Sequence, residues 1–296
     1  MPDREGYVRL EWAAGSMQVD FGMARARIAG EMADVHCLVV SLPYSNMRLC
    51  VALPGENAEC LCHGLMLVFE HIGGVPPVIV MDNATGAGRR NAKGEVALTG
   101  VFSAFVAHYR LEVRFCNPYS GNEKGSVENA VGFLRRNLMV PPMRAESYGQ
   151  LSRLLLERCD GLARDSCCPR LPDVPVAEVF DEERAALMPL PSTAFDPVRW
   201  ESRTADKYGL VDIDSNRYLA GPRFGAFQGI GRDPVGHGHA RIARHRRAPR
   251  GISQTVRTVA QCGGSRARAS PARGQTPRVA GKLDPPGRAR RYTRVA

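Results

Sequence analysis

The chain has 296 residues, 44% of them hydrophobic, and a net charge of +10. That is room for one large or two ordinary domains with a genuine core. No run approaches the roughly 18 continuous apolar residues of a membrane span, and "MPDREG" at the start reads as no signal peptide. Nine cysteines without regular spacing argue against a disulfide framework and for a reducing compartment. Cys60 and Cys62 form a C-x-C and Cys167 and Cys168 are adjacent, so both pairs read as buried free thiols and not as half a zinc site.

In chain order, the first 140 residues alternate between strand-like and helix-like runs. "GSMQVDFG" is a short strand that should close at its glycine, with Asp20 near its end. "DVHCLVVSLPYS" holds a continuous apolar run, Val35 to Leu42, as a buried strand does. "NMRLCVALP" alternates Met47, Leu49, Val51 and Leu53 before Pro54. Leu61, Leu65, Val68, Phe69 and Ile72 then follow helical spacing up to Gly73-Gly74. "PPVIVMDN" is a fourth strand, ending in Asp82-Asn83. A polar glycine-rich loop, "ATGAGRRNAKGE", leads to a helix in "LTGVFSAFVAHYR", a short strand in "LEVRFCN", and a last helix in "NPYSGNEKGSVENAVGFLRRN".

The first three strands are joined too tightly for crossovers, so they should form an antiparallel meander. The later strands alternate with helices, which implies parallel addition to the same sheet. This predicts an α/β domain with a mixed five-stranded sheet and flanking helices, the layout of a ribonuclease-H-like fold. Beyond Glu146 two helices separated by a Cys/Pro-rich link are expected. A β-hairpin follows, turning at Asp214-Ser215-Asn216. The domain boundaries expected are a 1–13 extension, a 14–142 core, a 143–194 helical linker, a 195–225 partial small β domain and a 226–296 basic tail.

Charge is divided sharply along the chain. Residues 221–296 hold 17 Lys+Arg against 2 Asp+Glu, while the preceding 220 residues carry a balance of −5. The tail is poor in Leu, Ile, Val and Phe, so it is expected to be disordered. Its runs of Arg, Ala, Pro and Gly have the composition of a frameshifted reading of GC-rich DNA. The competing reading is a native basic tail that binds DNA nonspecifically.

Acids recur at equivalent places. Asp20 ends the first strand, Asp82 ends the fourth, and Glu123 and Glu128 open the last helix. In a mixed sheet the first and fourth strands are neighbours, and a helix across them can bring a third carboxylate. Three converging carboxylates repel one another unless cations relieve them. Hard oxygen donors suit magnesium or manganese, and two such ions about 4 Å apart support in-line phosphoryl displacement. Glu123 and Glu128 lie equally near the apolar stripe of Val127, Val131, Leu134 and Leu138, so helical geometry leaves the third ligand open. Asn122 or Ser120 could cap that helix.

The segments "QVDFG", "VIVMDNATG" and "NPYSGNEKGSVENAVGFLRRN" resemble the catalytic core of Asp-Asp-Glu transposases and integrases, and more closely IstA-type transposases of the two-gene insertion sequences. The resemblance runs from about Gly6 to about Arg223. It implies DNA transposition by metal-dependent phosphoryl transfer, with end cleavage and then attack of the 3′-hydroxyl on target DNA. It implies Asp20, Asp82 and Glu128 as catalytic metal ligands, holding two Mg2+ or Mn2+ ions with DNA bound. Arg89, Arg90, Asn122, Lys124, Arg135 and Arg136 would then lie along the DNA backbone, where phosphate contacts position DNA without reading it. Implied partners are transposon-end and target DNA, an IstB-like ATPase helper and further copies of the chain. The implied location is cytoplasmic, at the nucleoid, with no membrane.

Such proteins carry helix-turn-helix segments ahead of the core, and here only some 19 residues precede Asp20. A truncated copy is therefore expected, with end recognition reduced. Two other readings stand beside the leading one: a catalytically inactive remnant that binds DNA or transposase subunits, and a nonspecific ribonuclease-H-like nuclease.

Overall fold

The computed structural model describes residues 12–81, 86–90, 95–116, 121–201, 206–208, 210–213, 216–219, 229–232, 239–248 and 251–260. Strand β1 (Ser16–Ile28) turns directly into β2 (Glu31–Leu42), and β3 (Met47–Leu53) follows antiparallel. Ala29 and Gly30 carry φ of 47° and 87°. Positive φ at both central residues is the mark of a type I′ turn, one of the two turns whose twist matches that of its strands.

Parallel pairing needs a crossover, and α1 (Ala58–Ile72) supplies it. Asn57 starts the helix by accepting from the Cys60 N–H at 2.8 Å, and Gly73 ends it in the left-handed region. Strand β4 (Val78–Met81) then lies parallel to β1. A small antiparallel hairpin, β5 (Gly88–Arg90) and β6 (Val96–Leu98), precedes α2 (Gly100–Tyr109). Thr99 caps α2, and β7 (Glu112–Phe115) adds parallel to β4. After α3 (Gly121–Leu138), the short β8 (Arg144–Ala145) pairs with Arg27–Ile28 of β1.

The main sheet therefore runs β3-β2-β1-β4-β7, with β8 as a sixth strand beside β1. This is the ribonuclease-H-like arrangement expected, with one short strand more than the five anticipated. Phe69 of α1 and Phe105 and Tyr109 of α2 fill one side, with the Phe69 and Tyr109 ring centroids 5.3 Å apart. Val127, Ala130, Leu134 and Leu138 of α3 are also buried. Among the described residues no helix is long and apolar enough to cross a membrane.

An edge strand presents unpaired N–H and C=O groups. Helix α4 (Tyr148–Asp165) covers β3, and the Ser152 hydroxyl both accepts from the Ala52 N–H and donates to the Ala52 carbonyl, each at 3.0 Å. The linker continues through the β9 (Cys167–Cys168) and β10 (Leu171–Pro175) pair to α5 (Val176–Glu183) and a 3-10 turn at Arg184–Ala186. Glu183 is buried and accepts from the Gly15 N–H at 2.9 Å and the Ser45 N–H at 3.2 Å. Burial pushes its carboxyl above the ordinary 4.5, against the lowering effect of the Ser45 and Gly15 hydrogen bonds.

Besides the extra strand β8, four further departures from expectation stand out. Strand β1 does not close at Gly22 but continues six residues to Ile28, so Asp20 is within a strand and not at its end. The glycine-rich loop contains the β5–β6 hairpin. Cys60, Cys62 and Cys168 are buried as expected, whereas Cys167 is exposed. The fourth concerns the basic tail, expected disordered from 226. It holds β14 (Gly229–Arg232), β15 (His239–Ala248) and β16 (Gly251–Ala260), which form a sheet with β11 (Arg199–Glu201) in the order β11-β14-β15-β16. Average composition concealed the β-branched run Ile252, Thr255, Val256, Thr258 and Val259, which favours extended backbone. Between them, β12 (Leu210–Ile213) and β13 (Asn216–Leu219) form the anticipated hairpin. Residues 261–296 lie outside the described residues.

Ser152→Ala is expected to lower stability by about 1–3 kcal/mol, because it orphans two buried backbone groups; urea unfolding measures this. Glu183 binds its proton more tightly folded than unfolded, so its contribution to stability falls as pH rises from about 4.5 through the raised folded value. Wild type should lose stability relative to Glu183→Gln across that window, as read by urea midpoints at stepped pH.

Candidate active site

Each candidate residue is placed by its strand or helix register. On β1, side chains alternate between the two faces of the sheet. A Cβ on Gly22 would meet Val131 of α3, so the face carrying Gly22 is the face that α3 covers. Asp20, two residues earlier, shares that face. Its side chain is half-buried, and its Oδ1 accepts from the Phe21 N–H at 2.8 Å.

Among the described residues, the edge of β1 facing β4 is occupied at both ends but not between. Ser16–Val19 pair with Val78–Met81, and Arg27–Ile28 pair with β8. Among the described residues no strand lies beside residues 20–26 on that edge. Asp20 is the first residue of this opening. The last parallel pair is Val19 with Met81, and the residue that follows Met81 in the chain is Asp82. Asp82 itself lies outside the described residues.

Helix α3 contains both glutamates weighed as the third ligand. Glu123 is its third residue and Glu128 its eighth. Only the backbone is described for these positions and for Asn122 and Lys124. Val131, which abuts β1 at Gly22, is three residues beyond Glu128 and eight beyond Glu123. At 1.5 Å per residue that is about 4.5 Å along the axis from Glu128 and about 12 Å from Glu123. This contact between α3 and the Asp20 strand is thus about one turn from Glu128 and two turns from Glu123.

The candidate DNA-contacting residues fall on two elements. Arg89 and Arg90 stand on β5, with Arg89 exposed. Gly86 precedes them with φ of 78°, and a Cβ there would collide with the Glu56 carbonyl oxygen. Only glycine lets the chain pass this close to the start of α1. Arg135 and Arg136 are exposed in the last turns of α3, and the Arg136 guanidinium folds back toward Gly132. The sequence reading missed the Gly22–Val131 contact. Its signal was a glycine inside a strand, which often marks a close approach.

Among the described residues no three His, Cys, Asp or Glu side chains cluster as a metal site requires. The candidate set extends beyond that description, since it needs Asp82 and the Glu128 carboxylate. Its donor chemistry, carboxylate oxygens only, fits a hard divalent cation.

Comparison with known proteins gives this architecture a context. The chain is 31% identical over 214 residues to a transposase of insertion sequences IS1326/IS1353 from Pseudomonas aeruginosa, covering 72% of this chain and 42% of that one. It is 27% identical over 202 residues to the transposase of insertion sequence element IS21, also from Pseudomonas aeruginosa, covering 68% of this chain and 52% of that one. A third relative is a putative transposase of element IS5376 from Geobacillus stearothermophilus, 30% identical over 194 residues, covering 64% of this chain and 47% of that one. Its relatives are insertion-sequence transposases. The chain spans about half the length of these relatives. No protein-family model matches it. Among solved structures it is similar to the catalytic core domain of BIV integrase, at 13% identity and a TM-score of 0.40, covering 58% of this chain and 97% of that one. It is also similar to a chain of the simian T-cell lymphotropic virus intasome in complex with PP2A regulatory subunit B56 gamma. There the identity is 12% and the TM-score 0.45, with 89% of this chain and 84% of that one covered.

Proposed function

We propose that the chain carries the catalytic core of an IstA-type transposase, which cleaves transposon ends and joins their 3′-hydroxyls to target DNA. The observation that carries this is the meeting of α3 with the Asp20 face of β1 at Gly22, beside the opening in the sheet edge. Kinship with insertion-sequence transposases supports the same reading.

Asp20, Asp82 and Glu128 are the proposed ligands, each bringing an anionic oxygen from a different element. Glu128 is preferred to Glu123 because it lies nearer the α3–β1 contact. Bound there, Mg2+ or Mn2+ would supply charge relief for the three acids and activation of the attacking and leaving oxygens of the phosphodiester. Asp20 is held in place by the strand on which it sits and by the Phe21 N–H. Arg89, Arg90, Asn122, Lys124, Arg135 and Arg136 are the proposed contacts to the DNA backbone; they hold the duplex without selecting sequence. An IstB-like ATPase helper, assembly of several copies and a cytoplasmic location at the nucleoid enter through the family resemblance alone.

Asp20→Asn, Asp82→Asn and Glu128→Gln are each expected to abolish the rise in melting temperature that Mn2+ gives the wild type. Each should leave the metal-free fold intact or slightly more stable, since carboxylate repulsion is relieved. Glu123→Gln should keep the full Mn2+ shift. Loss of the shift in Glu123→Gln with retention in Glu128→Gln would reassign the third ligand.

Replacing Arg135 and Arg136 together by Ala should weaken duplex binding equally for all sequences. The slope of log K against log salt should fall by roughly 1 for each phosphate that the variant no longer neutralises. Fluorescence anisotropy over a salt series on two unrelated duplexes tests this, and weakening confined to one duplex would contradict a backbone role.

A further inference from the structure

Gly22 lies two residues beyond Asp20 on the same face of β1. A Cβ placed there would stand 2.8 Å from Val131 Cγ1, where ordinary van der Waals contact begins at 3.4 Å. Any side chain at this position must therefore open the contact by about 0.2 Å to reach 3.0 Å, the shortest that real Cβ atoms show, and by about 0.6 Å to reach ordinary contact. Valine in a helix has one strongly preferred χ1, so its methyl cannot swing aside without strain. The displacement passes instead to the backbone of α3, whose residue Glu128 is one turn away.

We propose that Gly22 is a positioning residue for the metal site: its missing side chain fixes the separation between the strand bearing Asp20 and the helix bearing Glu128. The inference rests on the reading of those two residues as ligands of one site. Catalytic constellations tolerate only about 0.5 Å of displacement, and a misplacement near 1 Å costs on the order of a hundredfold in rate. An opening of about 0.2 to 0.6 Å between the two ligand-bearing elements reaches the limit of that tolerance. A glycine retained only for packing would affect stability without changing how tightly the folded protein takes a cation. The two roles are therefore separable.

The experiment is titration calorimetry of the full chain with Mn2+, together with metal-free melting and Mn2+-dependent nicking of a nonspecific duplex. Gly22→Ala is expected to weaken Mn2+ binding about tenfold or more and to slow nicking by roughly ten- to a hundredfold. Val131→Ala removes the opposing methyl. The double variant Gly22→Ala/Val131→Ala should return to within about threefold of wild type in both measures, as contacting residues couple in a double-mutant cycle. Val131→Ile enlarges the same contact from the helix side and should weaken Mn2+ binding in the same direction, which keeps the test decisive if Gly22→Ala fails to fold. Wild-type Mn2+ affinity in Gly22→Ala alongside abolished affinity in Asp20→Asn would overturn the inference and leave the ligand reading standing. Failure of the double variant to recover would also overturn it. Normal Mn2+ affinity in Asp20→Asn would remove the ligand reading, and the inference with it.

Discussion

Strand β1 pairs in opposite senses on its two edges, and the rest of the domain follows from that. On one side it runs antiparallel to β2 in unbroken register from Gln18–Ser41 to Ile28–Glu31. On the other, among the described residues, it runs parallel to β4 over four pairs. Antiparallel partners can be joined by two residues, as Ala29-Gly30 join these, but a parallel partner requires a crossover. Helix α1 is that crossover, and its burial on one side of the sheet leaves the other side to α3. With thirteen residues in β1 against four in β4, the described residues leave a stretch of that edge from Asp20 onward without a neighbouring strand.

The linker is bound to this sheet by polar groups placed where strands and helices end. Ser152 satisfies both free groups of Ala52 on the β3 edge, so α4 removes an aggregation-prone edge while docking itself. His71 of α1 and Asp160 of α4 meet at 3.0 Å, and the Arg184 guanidinium donates to the Ile72 carbonyl at the end of α1. Glu183 reaches both the start of β1, at Gly15, and the turn before β3, at Ser45. A buried carboxylate with two backbone donors is costly to bury but more costly to leave half-paired. The linker's position is therefore specified by hydrogen-bond satisfaction as well as by apolar area.

Sequence patterning was most legible where burial is symmetric. Val35–Leu42 and Val78–Met81 are covered on both faces, and continuous apolar runs announce them. The outer half of β1 was not legible: Ala24, Ala26 and Ile28 alternate with Met23, Arg25 and Arg27, and alanine is a weak strand signal. Gly22 then looked like the end of a strand because a glycine in a strand announces either a stop or a close neighbour. Only the neighbour's position, on a helix more than a hundred residues later, distinguishes them. Asp20 was legible as a candidate because it follows the buried Met17 and Val19. Helical periodicity left Glu123 and Glu128 open, and in the sequence only the resemblance to transposases singled out Glu128, because helical spacing does not record where a helix touches a sheet.

The placement of acids and bases has a physical consequence for a site of this kind. Carboxylates held near one another raise each other's proton affinity, and a neighbouring arginine would quench that tension by pairing with them. Arg135 and Arg136 sit one to two turns beyond Val131 on α3 and are exposed to solvent. Arg89 is likewise exposed, on the small hairpin β5–β6 and not on the strand that precedes Asp82. Their exposed positions leave these cations available to a polyanion. Exposed arginines have an affinity for phosphate, and carboxylate oxygens have one for hard cations. On the proposed reading of Asp20 and Glu128 as ligands, the acids can share a cation only if strand and helix hold their spacing, and that spacing is set at the contact between Gly22 and Val131.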